Sequence, residues 1–342
     1  MKVKKVVAIS LILCMMISLA GCANPIHMVK GLFEDEEQSA SNIVESGDDA
    51  QKDEGLRNTV LYYKDDKGFL IPVMRKIPWT QGRGIAKEAL RAMIDNPANR
   101  KDIEEIGLIP TIPANTEIRG MNICEGLCKV DFSSDFLNYF SKEEETALVK
   151  AVTYTLTEFP TIDRVQVMID GKVPNNLEYG TKTAQALSRD NINYVSAKKS
   201  DNKVVVYYEG TTNGLESYFV PVTKGIEKND QASTNVLDAL DALVEGPPEG
   251  RGLYSEIPKG TRVVSVDMNE SVACINLSEE ILEVTDNEAA AQSVAKSFGL
   301  TVKEQNPLIA GVKLLVNGKE LKLGKENKED PVVVPTFANQ YE

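Results

Sequence analysis

The hydrophobic pattern of this chain occurs twice, in residues 58–180 and again in residues 202–324. Each copy begins with two short, mostly apolar segments on either side of a turn, and this arrangement predicts a β-hairpin. These segments are Thr59–Lys64 with Phe69–Val73 in the first copy, and Lys203–Tyr208 with Tyr218–Val222 in the second. Because this repeat is far longer than that of a solenoid, each copy is predicted to be a domain with its own core.

An amphipathic helix follows in each copy, and it ends at Pro97 in the first and at Gly246-Pro247 in the second. The remaining elements are a hairpin over Thr116–Phe132 or Thr261–Leu277, a helix over Ala147–Phe159 or Ala290–Phe298, and a strand over Val165–Lys172 or Val312–Lys319. In the second copy the apolar register shifts near Gly299, so the pattern leaves the end of that helix open.

The order strand, strand, helix, strand, strand, helix, strand predicts the α+β class. We expect two tandem repeats, each a mixed, largely antiparallel sheet of about five strands with two helices packed on one face. The predicted division of the chain is 1–21 signal peptide, 22–56 tether, 57–180 first domain, 181–201 interdomain linker, 202–324 second domain and 325–342 C-terminal tail.

Three features recur in both copies. Pro72 and Pro221 fall at the same place in the second strand, which predicts an edge strand or a strand that ends in an irregular segment, because proline cannot donate to a central ladder. Paired tyrosines in the first strand are typical of aromatic packing on a sheet, with a ligand platform as the alternative. The long loops that precede Pro113 and Pro258 offer room for a binding surface.

The first 22 residues predict export. A basic start and an apolar stretch too short to span a bilayer end in Leu19, Ala20, Gly21 and Cys22, and this ending resembles the lipobox of bacterial lipoproteins. The resemblance implies cleavage before Cys22 and acylation of its thiol by palmitate-class fatty acids. We therefore expect a protein anchored by lipid to the extracytoplasmic face of the cell membrane.

Charge and composition narrow the possible partners. The chain carries 38 Lys and Arg against 51 Asp and Glu, a formal net charge of −13, which argues against binding to nucleic acid. Acidic and polar residues dominate 22–56, so this segment is predicted to be a disordered tether. The only histidine is His27, in the tether, which excludes histidine-based catalysis and histidine metal ligation within either copy.

Cys124 and Cys128 flank a predicted hairpin turn. A three-residue loop would place them opposite each other at a distance that a disulfide spans, while two free thiols are the alternative. Without further ligands nearby, the pair does not predict a metal site.

The shared motifs resemble the GerMN domain family. They are the Ala-Leu-x-Ala helix that ends at proline, the Ile-Pro before a hairpin, the Val-Asp-Phe-Ser and Ile-Asn-Leu-Ser strand ends, and the Asp-Gly-Lys and Asn-Gly-Lys strand ends. Two such domains behind a lipobox resemble spore germination and sporulation lipoproteins. The resemblance implies a fold similar to ring-building motifs, no catalytic residues, no cofactor and no metal.

The same resemblance implies a scaffold role in a secretion-like channel complex between mother cell and forespore, in the space between their membranes. It implies protein partners, and a homo-oligomer is compatible with it. One alternative is an exported ligand-binding lipoprotein with an interdomain cleft. A further alternative is cell-wall hydrolysis by a carboxylate pair, although no spacing of acidic residues singles one out.

Overall fold

The computed structural model describes residues 55–79, 84–195, 200–212, 214–227, 235–321 and 331–341. In the first copy the elements follow the predicted order, with one added short helix. They are β1 (Leu56–Lys64), β2 (Leu70–Pro78), α1 (Ile85–Ala92), α2 (Pro97–Lys101), β3 (Ile118–Cys124), β4 (Leu127–Phe132), α3 (Lys142–Leu156) and β5 (Arg164–Ile169). A 3-10 turn at Ser134–Leu137 precedes α3.

Among the described residues, the second copy repeats this order without a counterpart of α2 and adds three short strands. Its elements are β6 (Lys203–Thr211), β7 (Ser217–Gly225), α4 (Asn235–Val244), β8 (Leu253–Tyr254), β9 (Val263–Asn269), β10 (Val272–Leu277), α5 (Glu288–Gln305), β11 (Gly311–Val316), β12 (Lys319–Glu320) and β13 (Val332–Val333). The predicted α+β class with two tandem repeats is confirmed.

The strands of each copy are divided between two hydrogen-bonded sheets rather than joined in one. In the first copy β1 pairs with β2, and a second sheet has the order β3-β4-β5. The β4–β5 pair is parallel because the whole of α3 lies between these strands in the chain. In the second copy the corresponding sheets are β7-β6-β8 and β12-β11-β10-β9, with β13 also paired to β11.

The turn residues explain where these hairpins reverse. Glu125 and Gly126 have φ values of 49° and 75°, so β3 and β4 are joined by a two-residue turn in the left-handed region. Asp170-Gly171 after β5 and Asn317-Gly318 after β11 have the same backbone geometry, with φ between 49° and 76°. Asparagine, aspartate and glycine adopt this region most readily, so these dipeptides fix the strand ends.

The two long helices begin at capped residues and differ in length. Ser141 accepts from the Glu144 N–H at the start of α3, and Asn287 accepts from the Ala290 N–H at the start of α5. α5 runs without a break through Gly299, so the register shift seen in the sequence is not a helix end. A Cβ atom at position 299 would lie 2.8 Å from Val334, so glycine is needed there for the C-terminal segment to pack against the helix.

The alternating faces predicted from the sequence are buried as expected. Cys128, Val130 and Phe132 in β4 are buried, and Ala273, Ile275 and Leu277 form the equivalent face of β10. Buried side chains of both copies form one continuous hydrophobic cluster, which also includes Ile192 from the predicted linker and Val334 from the predicted tail. These two segments are therefore part of the packed structure where they are described.

Candidate interaction surface

The segment after each copy returns as an extended chain beside that copy's last strand. Leu187 bonds in an antiparallel bridge with Val165 in β5, and β13 pairs antiparallel with Gly311 and Val312 in β11. Each segment then continues toward the boundary between the copies. The predicted linker and the predicted tail are thus equivalent parts of the repeat.

The first of these segments ends on an asparagine that joins both copies. Asn193 accepts from the Leu70 N–H at 2.8 Å and donates to the Leu70 carbonyl at 2.8 Å. The same amide nitrogen donates to the Pro221 carbonyl in β7 of the second copy, also at 2.8 Å. Asn193 has a φ of 47°, a left-handed conformation that asparagine tolerates better than most residues.

The second segment repeats this arrangement with the copies exchanged. Asn339 accepts from the Phe219 N–H at 2.7 Å and donates to the Phe219 carbonyl at 2.8 Å. Its amide nitrogen also donates to the Pro72 carbonyl in the first copy at 2.9 Å. The two proline positions confirm the predicted edge strands, since β2 and β7 each have one strand partner and present their outer edge to the other copy.

Two glycines form a second reciprocal contact between the copies. A Cβ atom on Gly107 would lie 2.7 Å from Thr212 in the turn after β6, and one on Gly252 would meet the side chain of Lys67 in the turn after β1. Both glycines have positive φ. The long loops considered as binding surfaces therefore hold the copies together instead, and glycine lets each loop meet the opposite hairpin.

The paired tyrosines pack and do not form an open platform. The Tyr62 N–H donates to Thr155 and its hydroxyl donates to Glu158 at 2.9 Å. In the second copy the Tyr207 N–H donates to Thr301 and its hydroxyl donates to Glu304 at 2.9 Å. Burial raises the pKa of both Tyr62 and Tyr207 well above the ordinary value, so both phenols stay protonated donors.

Arg189, from the predicted linker, stands between these two tyrosine networks. Its guanidinium forms an ion pair with Glu158 at 2.5 Å and lies over the Tyr154 ring, 5.0 Å from the centroid. It also interacts electrostatically with Tyr62 and with Glu304 of the second copy. The positive charge of Arg189 therefore acts on carboxylates from both copies.

Reciprocal contacts of this kind are typical of an isologous interface. In such an interface the same surface patch of two subunits meets about a two-fold axis. Here the two patches belong to one chain. Buried side chains and backbone hydrogen bonds fill the boundary, so the two copies form one body through the contacts described above.

The predicted lipid site lies outside the described part of the chain. This applies to Leu19, Ala20, Gly21 and Cys22, to the signal peptide, and to all of the tether except its last two residues. Of those two, Leu56 already belongs to β1. No helix among the described residues is long and apolar enough to cross a membrane.

The two cysteines of the first hairpin lie on opposite faces of it. Because the turn has two residues and not three, Cys124 stands opposite Leu127, and Cys128 stands opposite Ile123. The Cys124 thiol is exposed, the Cys128 thiol is buried, and both are free. The three-residue loop on which the disulfide alternative depended is not formed. Within the described ranges no group of three or more His, Cys, Asp or Glu residues is placed to hold a metal ion.

The outer surfaces of the two copies differ. β3 and β9 are the outer strands of the two larger sheets, so their outer backbone groups have no strand partner among the described residues. β9 exposes Val264 and Met268, whereas on β3 the exposed Arg119 forms an ion pair with Asp170. Phe140, before α3, is 85% exposed and has no aromatic counterpart in the second copy. The sheet edges and this aromatic residue are the candidate interaction surface.

Comparison with known protein families identifies the repeated unit. The Germane family, described as "Sporulation and spore germination", matches residues 60–174 and 205–322, which together span more than half of the chain. The chain belongs to the Germane family. Both matched segments coincide with the two copies of the fold, so the Germane unit is the repeated module itself.

One relative, by its sequence and by its solved structure, extends this assignment to the tandem arrangement. Spore germination protein GerM of Bacillus subtilis is 29% identical over 309 residues, which cover 86% of this chain and 82% of GerM. The solved structure of the tandem GerMN domains of the sporulation protein GerM from Bacillus subtilis superposes with a TM-score of 0.70 and 28% identity. The superposition covers 84% of this chain and 100% of the solved structure. The predicted tandem GerMN architecture is therefore confirmed.

The reciprocal asparagines are the residues that the sequence pattern did not reveal. Asn193 and Asn339 lie in segments without hydrophobic periodicity. Their spacing is close to that of the repeat, and each follows the last strand of its copy by a similar distance. An alignment of the two copies that continues past Gly171 and Gly318 places Asn193 and Asn339 at nearly equivalent positions.

Proposed function

We propose that this protein is a membrane-anchored, non-enzymatic scaffold lipoprotein that supports a ring or channel complex between mother cell and forespore. The observation that carries the proposal is the reciprocal interface, in which Asn193 and Asn339 lock two equivalent frameworks into one body. A rigid body with unequal outer surfaces is suited to holding two neighbours at a fixed spacing.

The family assignment supports a role in sporulation and spore germination. The Germane family and the GerM relative both carry that description. Similarity to the tandem GerMN domains of GerM extends over the whole of that solved structure. A shared tandem arrangement favours a shared type of assembly over an unrelated function.

The N-terminal sequence supports the location. Acylation of Cys22 would anchor the protein, and the acidic segment 22–56 would separate the folded domains from the bilayer. The protein would act on the extracytoplasmic face of the cell membrane and, in sporulating cells, in the space between the mother-cell and forespore membranes. Its partners would be proteins and not nucleic acid, in keeping with the net charge of −13.

The packing between the copies favours this function over a ligand-binding lipoprotein. A binding cleft needs open space lined by converging polar groups. At this boundary the polar groups already have partners, since the Asn339 amide, which is 3% exposed, bonds to Phe219 and Pro72. The Tyr62 and Tyr207 hydroxyls are likewise bonded within the protein.

Sporulating cells that lack this gene and carry variant copies of it provide the test. We expect the deletion to lower the number of heat-resistant spores, and Cys22→Ser to fail to restore it because the protein leaves the membrane. Cys124→Ser is the matched control, since it alters an exposed thiol outside the lipobox and should restore spores fully.

Crosslinking of the intact protein in the same cells identifies its partners. A photo-reactive residue at Phe140 or Arg119 should link it to extracytoplasmic domains of a channel complex. Normal numbers of heat-resistant spores in the deletion strain, together with no crosslink to any channel subunit, would overturn the proposal.

A further inference from the structure

Strand β9 has an outer edge that remains open in the described structure. Its inner edge pairs with β10, with Val266 opposite Ile275 and Met268 opposite Ala273. The register of this pair shifts near Leu277, so Val264 has no partner in β10. An edge strand of this length offers a row of backbone donors and acceptors to another strand.

The edge of β9 has only part of the usual protection, a register shift at Val264 and the charge of Asp267. Natural edge strands are commonly blocked by proline, by lysine or by a covering segment. β9 contains neither proline nor lysine, and it exposes 62% of Val264 and 39% of Met268. Apolar side chains exposed beside open backbone groups indicate a surface that another strand covers.

We propose that β9 pairs antiparallel with β9 of a second copy of this chain, about a two-fold axis that passes Val266. In this register Val264 lies opposite Met268 of the second chain. Ser265 lies opposite Asp267 of the second chain, which places no like charges together. Because the axis is two-fold, each contact occurs twice.

Charge complementarity at the ends of the strand fixes the same register. Arg262 precedes β9 and Glu270 follows it, and the pairing centred on Val266 places Arg262 opposite Glu270 of the second chain. Arg262 is 73% exposed and has only a long ion pair, 3.9 Å from Glu280, within its own chain. Glu270 is exposed in the turn between β9 and β10. Opposite charges therefore meet at both ends of the paired strands.

The equivalent strand of the first copy does not have this self-complementarity. Pairing β3 about Met121 would place Arg119 opposite Ile123 and Gly120 opposite Asn122. Arg119 is already paired with Asp170. The proposed dimer thus uses only the second copy and leaves the first copy free for other partners.

The dimer adds a property to the proposed scaffold, and its confinement to one membrane rests on the proposed lipid anchor at Cys22. A single strand pair buries little surface, so the affinity is expected to be low in solution. Confinement of both chains to one membrane would raise their effective concentration and favour pairing.

Cysteine crosslinking of the full-length chain in membranes tests the register. In a chain with Cys124→Ser and Cys274→Ser, the pair Val264→Cys and Met268→Cys should give a covalent dimer with a short thiol crosslinker. Val264→Cys alone and Met268→Cys alone are the matched controls. Each should give little dimer, since the introduced thiols of two chains then lie about four strand residues, on the order of 13 Å, apart.

Charge reversal tests whether the ends of the strand contribute. Arg262→Glu should weaken the dimer roughly tenfold, because it removes two ion pairs and creates two repulsive ones. Adding Glu270→Arg to that variant should restore crosslinking to near the starting yield. No crosslink in the paired-cysteine chain would overturn the proposal, and so would a crosslink that is unaffected by Arg262→Glu.

Discussion

Asn193 and Asn339 each bind both main-chain groups of one residue in their own copy and one proline carbonyl in the other copy. The partners are Leu70 and Pro221 for Asn193, and Phe219 and Pro72 for Asn339. An asparagine amide suits this task because it combines an acceptor with two donors. Because Asn193 and Asn339 make equivalent contacts, the boundary between the two copies is symmetric although both copies belong to one chain.

The first prediction concerns Asn339. Asn339→Ala should lower the free energy of unfolding by about 2–4 kcal/mol, because main-chain groups of Phe219 and Pro72 lose their buried partner. Urea denaturation measures this loss. Gln292→Ala, on the exposed face of α5, is the control and should change stability by less than about 0.5 kcal/mol. A cost for Asn339→Ala as small as that of the control would show that the amide does not hold the copies together.

The second prediction concerns Gly107. Gly107→Ala should cost about 2–4 kcal/mol, since it combines a left-handed backbone with a Cβ atom 2.7 Å from Thr212. Gly68→Ala is a matched control, because Gly68 also has a positive φ but has no atom within 4 Å of the new Cβ. Gly68→Ala should lower the free energy of unfolding only by the cost of a left-handed backbone for alanine, about 1–2 kcal/mol. Equal melting temperatures for the two variants would contradict the close contact at Gly107.

The third prediction concerns the pH dependence of Glu145. This buried carboxylate at the start of α3 accepts from the Tyr179 and Thr181 N–H groups at 2.7 and 2.8 Å. Burial alone would raise its pKa, but hydrogen bonds from Thr181 and Tyr179 outweigh burial and lower the pKa from 4.5. A lowered folded pKa means that the carboxylate stabilises the fold above pH 4.5 and loses this effect as the pH falls through the folded value.

Glu145→Gln isolates that contribution. At neutral pH the variant should be less stable than the parent by about 1–3 kcal/mol, because charge-assisted hydrogen bonds are replaced by weaker ones. Urea titrations between pH 7 and pH 3 should show the gap closing on the acid side. A gap that widens as the pH falls would contradict the lowered pKa.

The fourth prediction concerns the cysteines of the first hairpin. Burial raises the pKa of the Cys128 thiol to about 12, so it should resist alkylation in the folded protein, whereas exposed Cys124 should react quickly. Peptide mapping after iodoacetamide labelling, before and after unfolding, measures both. A disulfide-linked peptide that contains Cys124 and Cys128 would contradict the observed register of β3 and β4.

The main elements of this fold were predictable because each has a local pattern, whereas the short helix α2 and the short strands β8, β12 and β13 do not. Alternation defined β4 and β10, and Asp170-Gly171 and Asn317-Gly318 marked the strand ends. The division of the strands between two sheets was not predictable, because it depends on contacts between residues far apart in the chain. The continuous helix through Gly299 was also hidden, since the glycine is explained only by Val334, which packs against it.

The interface between the copies was missed for a related reason. Most of the asparagine hydrogen bonds join residues that are more than a hundred positions apart, such as Leu70 with Asn193 and Pro72 with Asn339. Single polar residues in short extended segments produce no hydrophobic period. The disulfide alternative depended instead on a local feature, the length of one turn. The prediction gave this turn three residues where the structure has two, and it therefore placed Cys124 and Cys128 opposite each other on the same face.

The distance between the two copies in solution tests the central claim, that reciprocal clamps fix them as one body. Spin labels at Cys124 and at Met268→Cys, in a chain with Cys274→Ser, report this distance by double electron–electron resonance, and unlabelled chain in excess removes contributions from dimers. We predict one narrow distance distribution, which broadens when Asn193→Ala and Asn339→Ala are combined. A broad distribution in the chain with both asparagines intact would contradict the account.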